Sequence, residues 1–438
     1  MRSERPKVLH HLGGVPMVQH VLDTAEQLGA NTVCVVYGHG GDAVPRAVAG
    51  RGVKFVLQEP QLGTGHAVMQ AMSAIDAQAP TLVLYGDVPL VRAETLHPLV
   101  EAARAGALAV LTVRLPDPTG YGRIVRQADR VCRIVEQRDA SPAELAIDEV
   151  NTGMMAVPAG RLAEWLARLN CANAQGEYYL TDLVGLAVAD NIPVQACLAD
   201  DADEVSGINS PAQLAALERV LQARRATALM EAGVILADPA RIDIRGQLHC
   251  GRDVRIDVGC IFEGTVELAD GVQIGPYCVL RDTRVAASVR IEAFTWSDRA
   301  HIGEGAVVGP YARLRPDTEL AAGTHVGNFV ELKNAQVGTG SKINHLSYVG
   351  DATVGSQVNI GAGTITCNYD GVHKYRTVIG DGAFIGSDTQ LIAPVTVGAN
   401  ATIGAGSTIT RDAPSDALTV SRSKQYSVSG WKRPTKDT

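Results

Sequence analysis

After Gly233 the chain takes up a six-residue period, a spacing that suits neither an isolated helix nor a plain alternating strand. Ile256, Phe262, Leu268, Ile274 and Leu280 follow one another at this step. So do Ile302, Val308, Leu314, Leu320, Val326 and Leu332, and later Ile379, Ile385, Leu391, Val397, Ile403 and Ile409. Several are followed by glycine, as in Ile302-Gly303, Val326-Gly327, Ile385-Gly386 and Ile403-Gly404, where a tight corner needs permissive backbone. Each unit supplies one inward aliphatic residue and one turn, the pattern of a solenoid whose coils bury a continuous core. A β-rich domain with chance spacing is the alternative, and runs this long argue against it. The register breaks near 333–337 and again at 366–378; breaks in a solenoid are where loops leave to build a site, and both hold polar residues.

Composition agrees with a chain built partly from turns: aromatic residues make up 4% while glycine numbers 45. A length of 438 residues exceeds one ordinary core and argues for two domains. The balance of 39 basic against 47 acidic residues includes no polybasic block, so nucleic acid and anionic membranes are not expected partners. The longest apolar runs, such as 108–113, fall short of the roughly 18 residues of a membrane span, and the charged N-terminus lacks a signal-peptide core. A soluble, cytoplasmic protein without membrane insertion is expected. Eight cysteines without a CxxC pair read as buried small hydrophobes rather than disulfides or zinc ligands.

Through the first 210 residues or so, short β-rich runs at 32–37, 53–57, 81–85 and 108–113 alternate with helical patterns at 94–105 and 160–169. That alternation predicts βαβ units around a mostly parallel sheet. Ser210-Pro211 then reads as an N-cap with proline at the first helical position, and Leu214, Leu217 and Leu221 mark one face of a connecting helix that Gly233 stops. The expected domains are 1–209, a linker helix 210–232, and a solenoid 233–438.

The repeats are similar to the hexapeptide repeat family, which implies a left-handed parallel β-helix with three flat faces. The second break, Asn359-Ile-Gly-Ala-Gly-Thr-Ile-Thr-Cys-Asn-Tyr-Asp-Gly, together with Lys342-Ile-Asn-His345-Leu-Ser-Tyr348-Val-Gly, closely resembles the bifunctional N-acetylglucosamine-1-phosphate uridyltransferase/glucosamine-1-phosphate acetyltransferase family. The resemblance runs from 6–10 to 431–434. It implies an acetyltransferase on the solenoid and an α/β Rossmann-like nucleotidyltransferase domain before it. An imidazole titrating near neutral pH suits the base that takes a proton from the sugar ammonium, and His345 is assigned that role; alone it would read as a surface histidine in a turn. The resemblance implies that Arg315 and Lys333 meet the sugar phosphate, that Tyr348 and Asn359 hydrogen-bond the sugar, and that Lys374 projects from the extruded loop. As lone residues Arg315 and Lys333 would read as solvated face charges. The Ala362 N–H is expected opposite the thioester oxygen. Asn368, Tyr369, Ser387, Ala405 and Arg422 match the family's coenzyme A groove, and a homotrimer with shared sites is implied.

In the first half, Gln58-Glu-Pro-Gln-Leu-Gly-Thr-Gly-His66 sets a Gly-rich turn between strand and helix, which is equally an ordinary βα turn. Tyr85-Gly86-Asp87 ends an apolar strand, where open α/β sheets bind ligands, and Asp87 suits a metal. By resemblance, Gln58, Gly63 and Thr64 meet the uracil nucleotide, Asp87 and Asn209 hold Mg²⁺, Gly122, Glu136 and Asn151 contact the sugar, and Lys7 neutralises phosphate. The implied substrates are glucosamine-1-phosphate, acetyl-CoA, N-acetylglucosamine-1-phosphate and UTP. The family opens with a buried strand and a Leu-Ala-Ala-Gly-x-Gly-Thr-Arg-Met loop, whereas this chain begins at what resembles that loop's last methionine, Met1. Uridyl transfer by the chain as written is therefore expected to be impaired; a misassigned start explains the difference simply, whereas a genuine loss would leave a gap in the central sheet. Two rival readings are a hexapeptide-type zinc carbonic anhydrase using His301, His325 and His345, and a non-catalytic regulatory subunit.

Overall fold

The structure is a computed structural model that describes residues 3–38, 40–76 and 78–434, so Met1 lies outside the described residues. It divides into two compact units, residues 1–221 and 222–438.

In the first unit, Leu108–Arg114 and Glu149–Val157 form the middle of a six-stranded sheet. The run from Leu108 to Val113 is buried throughout, as a strand covered on both faces must be. Leu108, Val110, Met155 and Val157 pack against Trp165, Leu183 and Val184. Ala109, Leu111, Val150 and Met154 pack with Leu96 and Leu99 of the helix Ala93–Arg104. Helices on both faces of one sheet make the α/β sandwich expected. The sheet is not mostly parallel, however: Glu149–Val157 runs antiparallel to Thr81–Val83, Leu108–Arg114 and Arg123–Gln127, and only Val194–Leu198 joins in parallel. A hairpin unrecognised in the sequence, Arg123–Gln127 with Arg130–Val135, accounts for part of this, turning at Ala128 with φ 52°. Cys34–Tyr37 and Lys54–Leu57 form a separate parallel pair, and no strand joins it to Thr81–Val83 among the described residues. The helix read as 160–169 shortens to Leu162–Leu166.

The connecting helix is Pro211–Glu231. Ser210 caps it reciprocally: the Gln213 N–H donates to Ser210 Oγ (3.2 Å) and the Ser210 N–H to Gln213 Oε1 (3.0 Å).

The second unit is a parallel β-helix. Every residue of the three six-step runs is buried, from Ile256 at 2% exposure to Ile409 at 2%. An 11-stranded sheet forms one flat face, and a 15-stranded sheet wraps the other two because strands such as Glu331–Val337 and Tyr348–Val354 run round a corner. Arg313, Glu331, Tyr348, Ile365 and Gln390 stack in register, so successive coils take 18, 17, 17 and 25 residues. This corrects the reading of the first break. No loop leaves at 333–337; that coil is one residue shorter and its strand is continuous. The second break does extrude a loop, a small hairpin closed by the Tyr369 and Lys374 bridge and by the Tyr375 N–H donating to Asn368 O at 2.9 Å.

One corner of the helix carries an exposed stack of rings. Tyr277, Phe294, Tyr311 and Phe329 lie in the left-handed region, with φ from 55° to 59°, and Leu346 continues them at 49°. Such backbone costs roughly 1–2 kcal/mol per residue. Neighbouring rings stack at centroid distances of 4.8–5.3 Å, an interaction worth about 0.5–1.5 kcal/mol that offsets much of the strain. Above them the same corner takes Gly259, where a Cβ would meet the Tyr277 ring at 2.5 Å.

Candidate active sites

The corner that carries the ring stack continues into a column of candidate site residues. His345 pairs in register with Asn328 one coil back. The Leu346 N–H donates to Asn328 O (3.1 Å), the Gly363 N–H to His345 O (3.3 Å), the Asp388 N–H to Ala362 O (2.7 Å) and the Gly406 N–H to Ser387 O (2.8 Å). Asn328, His345, Ala362, Ser387 and Ala405 are thus brought together on successive coils. Arg422 closes the end of the column, with Nη1 donating to Ala405 O at 2.6 Å.

His345 Nδ1 lies 2.8 Å from Asn328 Oδ1. An amide oxygen only accepts, so Nδ1 donates to it, and in the neutral ring this leaves the lone pair that a base needs on Nε2. Nothing in the sequence reading singled out Asn328; its signal is its place one coil length, 17 residues, before His345. The Ala362 N–H meets no acceptor among the described residues and remains available to an outside oxygen. Close stacking requires the glycine before Asn328, because a Cβ on Gly327 would lie 2.0 Å from Asn344 O. Gly327→Ala is expected to destabilise this unit by about 1–3 kcal/mol, or about 2–4 °C in melting temperature per kcal/mol. An unchanged transition in calorimetry would contradict that packing.

The predicted cationic residues gather at the next corner. A cavity of about 400 Å³ is lined by Arg315, Lys333, Asn334, Asp351 and Lys374. The two corners turn at Leu346 and Asp351, five residues or roughly 16 Å of extended chain apart, with Tyr348 between them. Lys333 Nζ lies 3.8 Å from Asp351 Oδ2, and the Lys374 ammonium beside it is the largest influence holding Lys333 below the ordinary lysine range. Burial works against ionisation of Asp351, but hydrogen bonds from Asn334 and Asn368 and the two lysine charges outweigh it and keep its carboxyl below the ordinary range. Arg315 Nη1 donates to Glu331 Oε1 at 2.9 Å.

Three predicted residues fall elsewhere. Asn368, expected in the groove, is 7% exposed and donates through Nδ2 to Asp351, beneath the cationic cavity. Tyr369 is exposed on the extruded hairpin, its hydroxyl donating to Gly371 O. Asn359 pairs with Lys342 and Phe384 on the face before the His345 corner, across that edge from Tyr348.

In the first unit the predicted residues form three adjoining groups. Gln58 Nε2 donates to Gly63 O at 3.0 Å, and the Leu180 N–H donates to Thr64 Oγ1 at 3.2 Å. The Asn151 N–H donates to Gly122 O at 2.8 Å, while Asn151 Oδ1 is buried without a partner among the described residues, an acceptor left for a ligand. A Cβ on Gly122 would stand 3.4 Å from both Glu136 carboxylate oxygens, and burial raises the Glu136 pKa above the ordinary carboxylate value. Between these groups stands Tyr85, whose phenol is pushed up to about 12, first by burial and then by the charges of Glu136 and Asp87. A Cβ on Gly86 would approach Val8 Cγ1 to 3.2 Å.

The third group is Lys7, Asp87 and Asn209. Lys7 Nζ lies 2.5 Å from Asp87 Oδ2 and 2.8 Å from Asn209 Oδ1. Two oxygens already converge on one positive charge, so a divalent cation fits this pair, with water and phosphate oxygens completing its shell. Among the described residues no three His, Cys, Asp or Glu side chains gather as a metal site, and His301 lies on the strand Ala300–Ile302 of a different face from His325 and His345.

Comparison with known proteins agrees with both halves. The "MobA-like NTP transferase domain" matches residues 1–178, and the "Bacterial transferase hexapeptide (six repeats)" matches 376–411. The chain is 57% identical over 436 residues to the Bifunctional protein GlmU of Janthinobacterium sp. (strain Marseille), covering 100% of this chain and 96% of that protein. It is 59% identical over 437 residues to that of Ralstonia nicotianae and 59% over 442 residues to that of Bordetella parapertussis, each with 100% of this chain and 96% of the relative covered. The chain belongs to the GlmU family. Its hexapeptide coils therefore form the left-handed β-helix that the repeat implied, and its first unit is a nucleotidyltransferase domain. The zinc-enzyme and regulatory-subunit readings find no support among GlmU relatives. No described helix is long and apolar enough to cross a membrane.

Proposed function

We propose that this chain transfers an acetyl group from acetyl-CoA to glucosamine-1-phosphate, and a uridyl group from UTP to N-acetylglucosamine-1-phosphate, giving UDP-N-acetylglucosamine. The observation that carries the first reaction is the column of Asn328, His345 and Ala362. His345 Nε2 takes a proton from the sugar nitrogen as that nitrogen attacks the thioester carbon. The Ala362 N–H stabilises the oxyanion, and the C–S bond then breaks with the proton passed to the leaving thiolate. Arg315, Lys333 and Lys374 hold the phosphate, the arginine as a fork and the lysines as point charges. Ser387 and Ala405 are small enough for pantetheine to lie against the column.

For uridyl transfer, Gln58, Gly63 and Thr64 hold the nucleotide and Gly122, Glu136 and Asn151 the sugar. The reaction uses a divalent metal, which we take to be Mg²⁺ on Asp87 and Asn209. When bound, it neutralises phosphate charge during attack on the α-phosphorus. GlmU relatives named as bifunctional match across the whole chain, so both transfers are retained. Nucleotide substrates favour the cytoplasm. The exposed ring stack leading to His345, and the separation of Asn359 from Tyr348 across that edge, support a homotrimer whose sites are shared between copies.

Purified protein is expected to release thiol from acetyl-CoA only with glucosamine-1-phosphate, and to form UDP-N-acetylglucosamine from UTP. Absence of either product would refute that half. Asn328→Asp places a carboxylate beside the imidazole, favours its protonated form, and is expected to move the acid limb of the acetyl-transfer pH profile to higher pH. An unmoved limb would separate Asn328 from the base.

A further inference from the structure

Lys7 occupies the position between Asp87 and Asn209 that a metal would need. The three residues come from separate places: the short turn Lys7–Leu9, the turn that follows the strand Thr81–Val83, and the segment before the helix Pro211–Glu231. The backbones of Asp87 and Asn209 are held without help from the lysine. The Ile208 N–H donates to Asp87 O at 3.0 Å, and the Asn209 N–H donates to Gln213 Oε1 at 2.8 Å. These bonds fix the two backbones that carry the oxygens independently of the ammonium. The Lys7 side chain is 35% exposed against 19% for Asp87, so the lysine lies on the open side of the pair. Its four-carbon stem is flexible, and its ammonium is a compact point charge.

An ammonium on these two oxygens and a divalent cation bound to the same pair would stand close together, and the two charges repel. We propose that Lys7 is a displaceable stand-in for the metal: it neutralises Asp87 while no cation is bound, and cation entry expels its ammonium toward the phosphates that arrive with the metal. This rests on the reading of Asp87 and Asn209 as the metal ligands. It adds a coupling that those ligands alone do not supply. Without nucleotide, a cation must break the lysine contacts and leave an unpartnered charge nearby; with nucleotide, the expelled ammonium gains an anionic partner. Nucleotide then tightens metal binding through Lys7, and metal tightens nucleotide by the same factor.

Mn²⁺ serves as the probe, its free concentration read by electron paramagnetic resonance with the full chain. Without nucleotide, Lys7→Ala is expected to bind Mn²⁺ about tenfold more tightly than the unaltered protein, the scale of one close charge contact near a surface. With UTP present the advantage is expected to vanish or reverse. Lys7→Ala binding Mn²⁺ equally or more weakly without nucleotide would overturn the stand-in role. Asp87→Asn separates the two claims. If it abolishes Mn²⁺ binding while Lys7→Ala does not tighten it, the role of Lys7 alone fails. Unchanged Mn²⁺ binding by Asp87→Asn would remove the metal site itself.

Discussion

Replacing His345 by alanine is expected to slow acetyl transfer to glucosamine-1-phosphate by at least about a hundredfold, the lower range for losing a positioned general base. The chain should fold normally, because His345 is exposed and its side-chain hydrogen bond to Asn328 contributes little to the coil. The backbone carbonyl that accepts from the Gly363 N–H is kept by alanine. Residual turnover would come from the Ala362 N–H and the cationic cavity, which the substitution leaves in place. Thiol release under saturating substrates reads the effect directly. A rate near that of the unaltered protein would remove His345 from the mechanism.

Asp87→Asn should have the opposite selectivity, lowering uridyl transfer by at least about a hundredfold, the scale of losing one preorganised charge-stabilising group, while acetyl transfer continues. The change preserves shape and the Ile208 contact to the backbone carbonyl, but removes the carboxylate that Lys7 now neutralises. Pyrophosphate release measures it. Equal loss of both activities would indicate a folding defect rather than a missing ligand. Full retention of uridyl transfer would place the cation elsewhere.

The solenoid was legible because one aliphatic residue per six-step unit must face inward, and all those positions are buried. Its breaks were less legible. A step of five from Leu332 to Val337 disturbs the pattern as an insertion would, yet here the coil has merely lost a residue and Glu331–Val337 turns the corner unbroken. Asn328 and Asp351 escaped notice for a related reason. Their roles come from neighbours one coil away, and that distance varies between 17 and 25 residues. In the first unit, apolar runs and helix caps located the layers, but strand direction is set by connections that hydrophobicity does not encode. The hairpin at 123–135 and the antiparallel Thr81–Val83 therefore appeared only in the structure. The convergence of Lys7, Asp87 and Asn209 is likewise a tertiary fact, joining residues 80 and 202 positions apart.

Acyl transfer is proposed for the corner column from Asn328 to Ala405. A structure of the protein with coenzyme A and glucosamine-1-phosphate tests it most directly. The thiol sulfur is expected beside Ala362 and Ser387, the sugar nitrogen within hydrogen-bond reach of His345 Nε2, and the phosphate in the cavity of Arg315, Lys333 and Lys374. Coenzyme A on a different face, with His345 open to solvent, would contradict it.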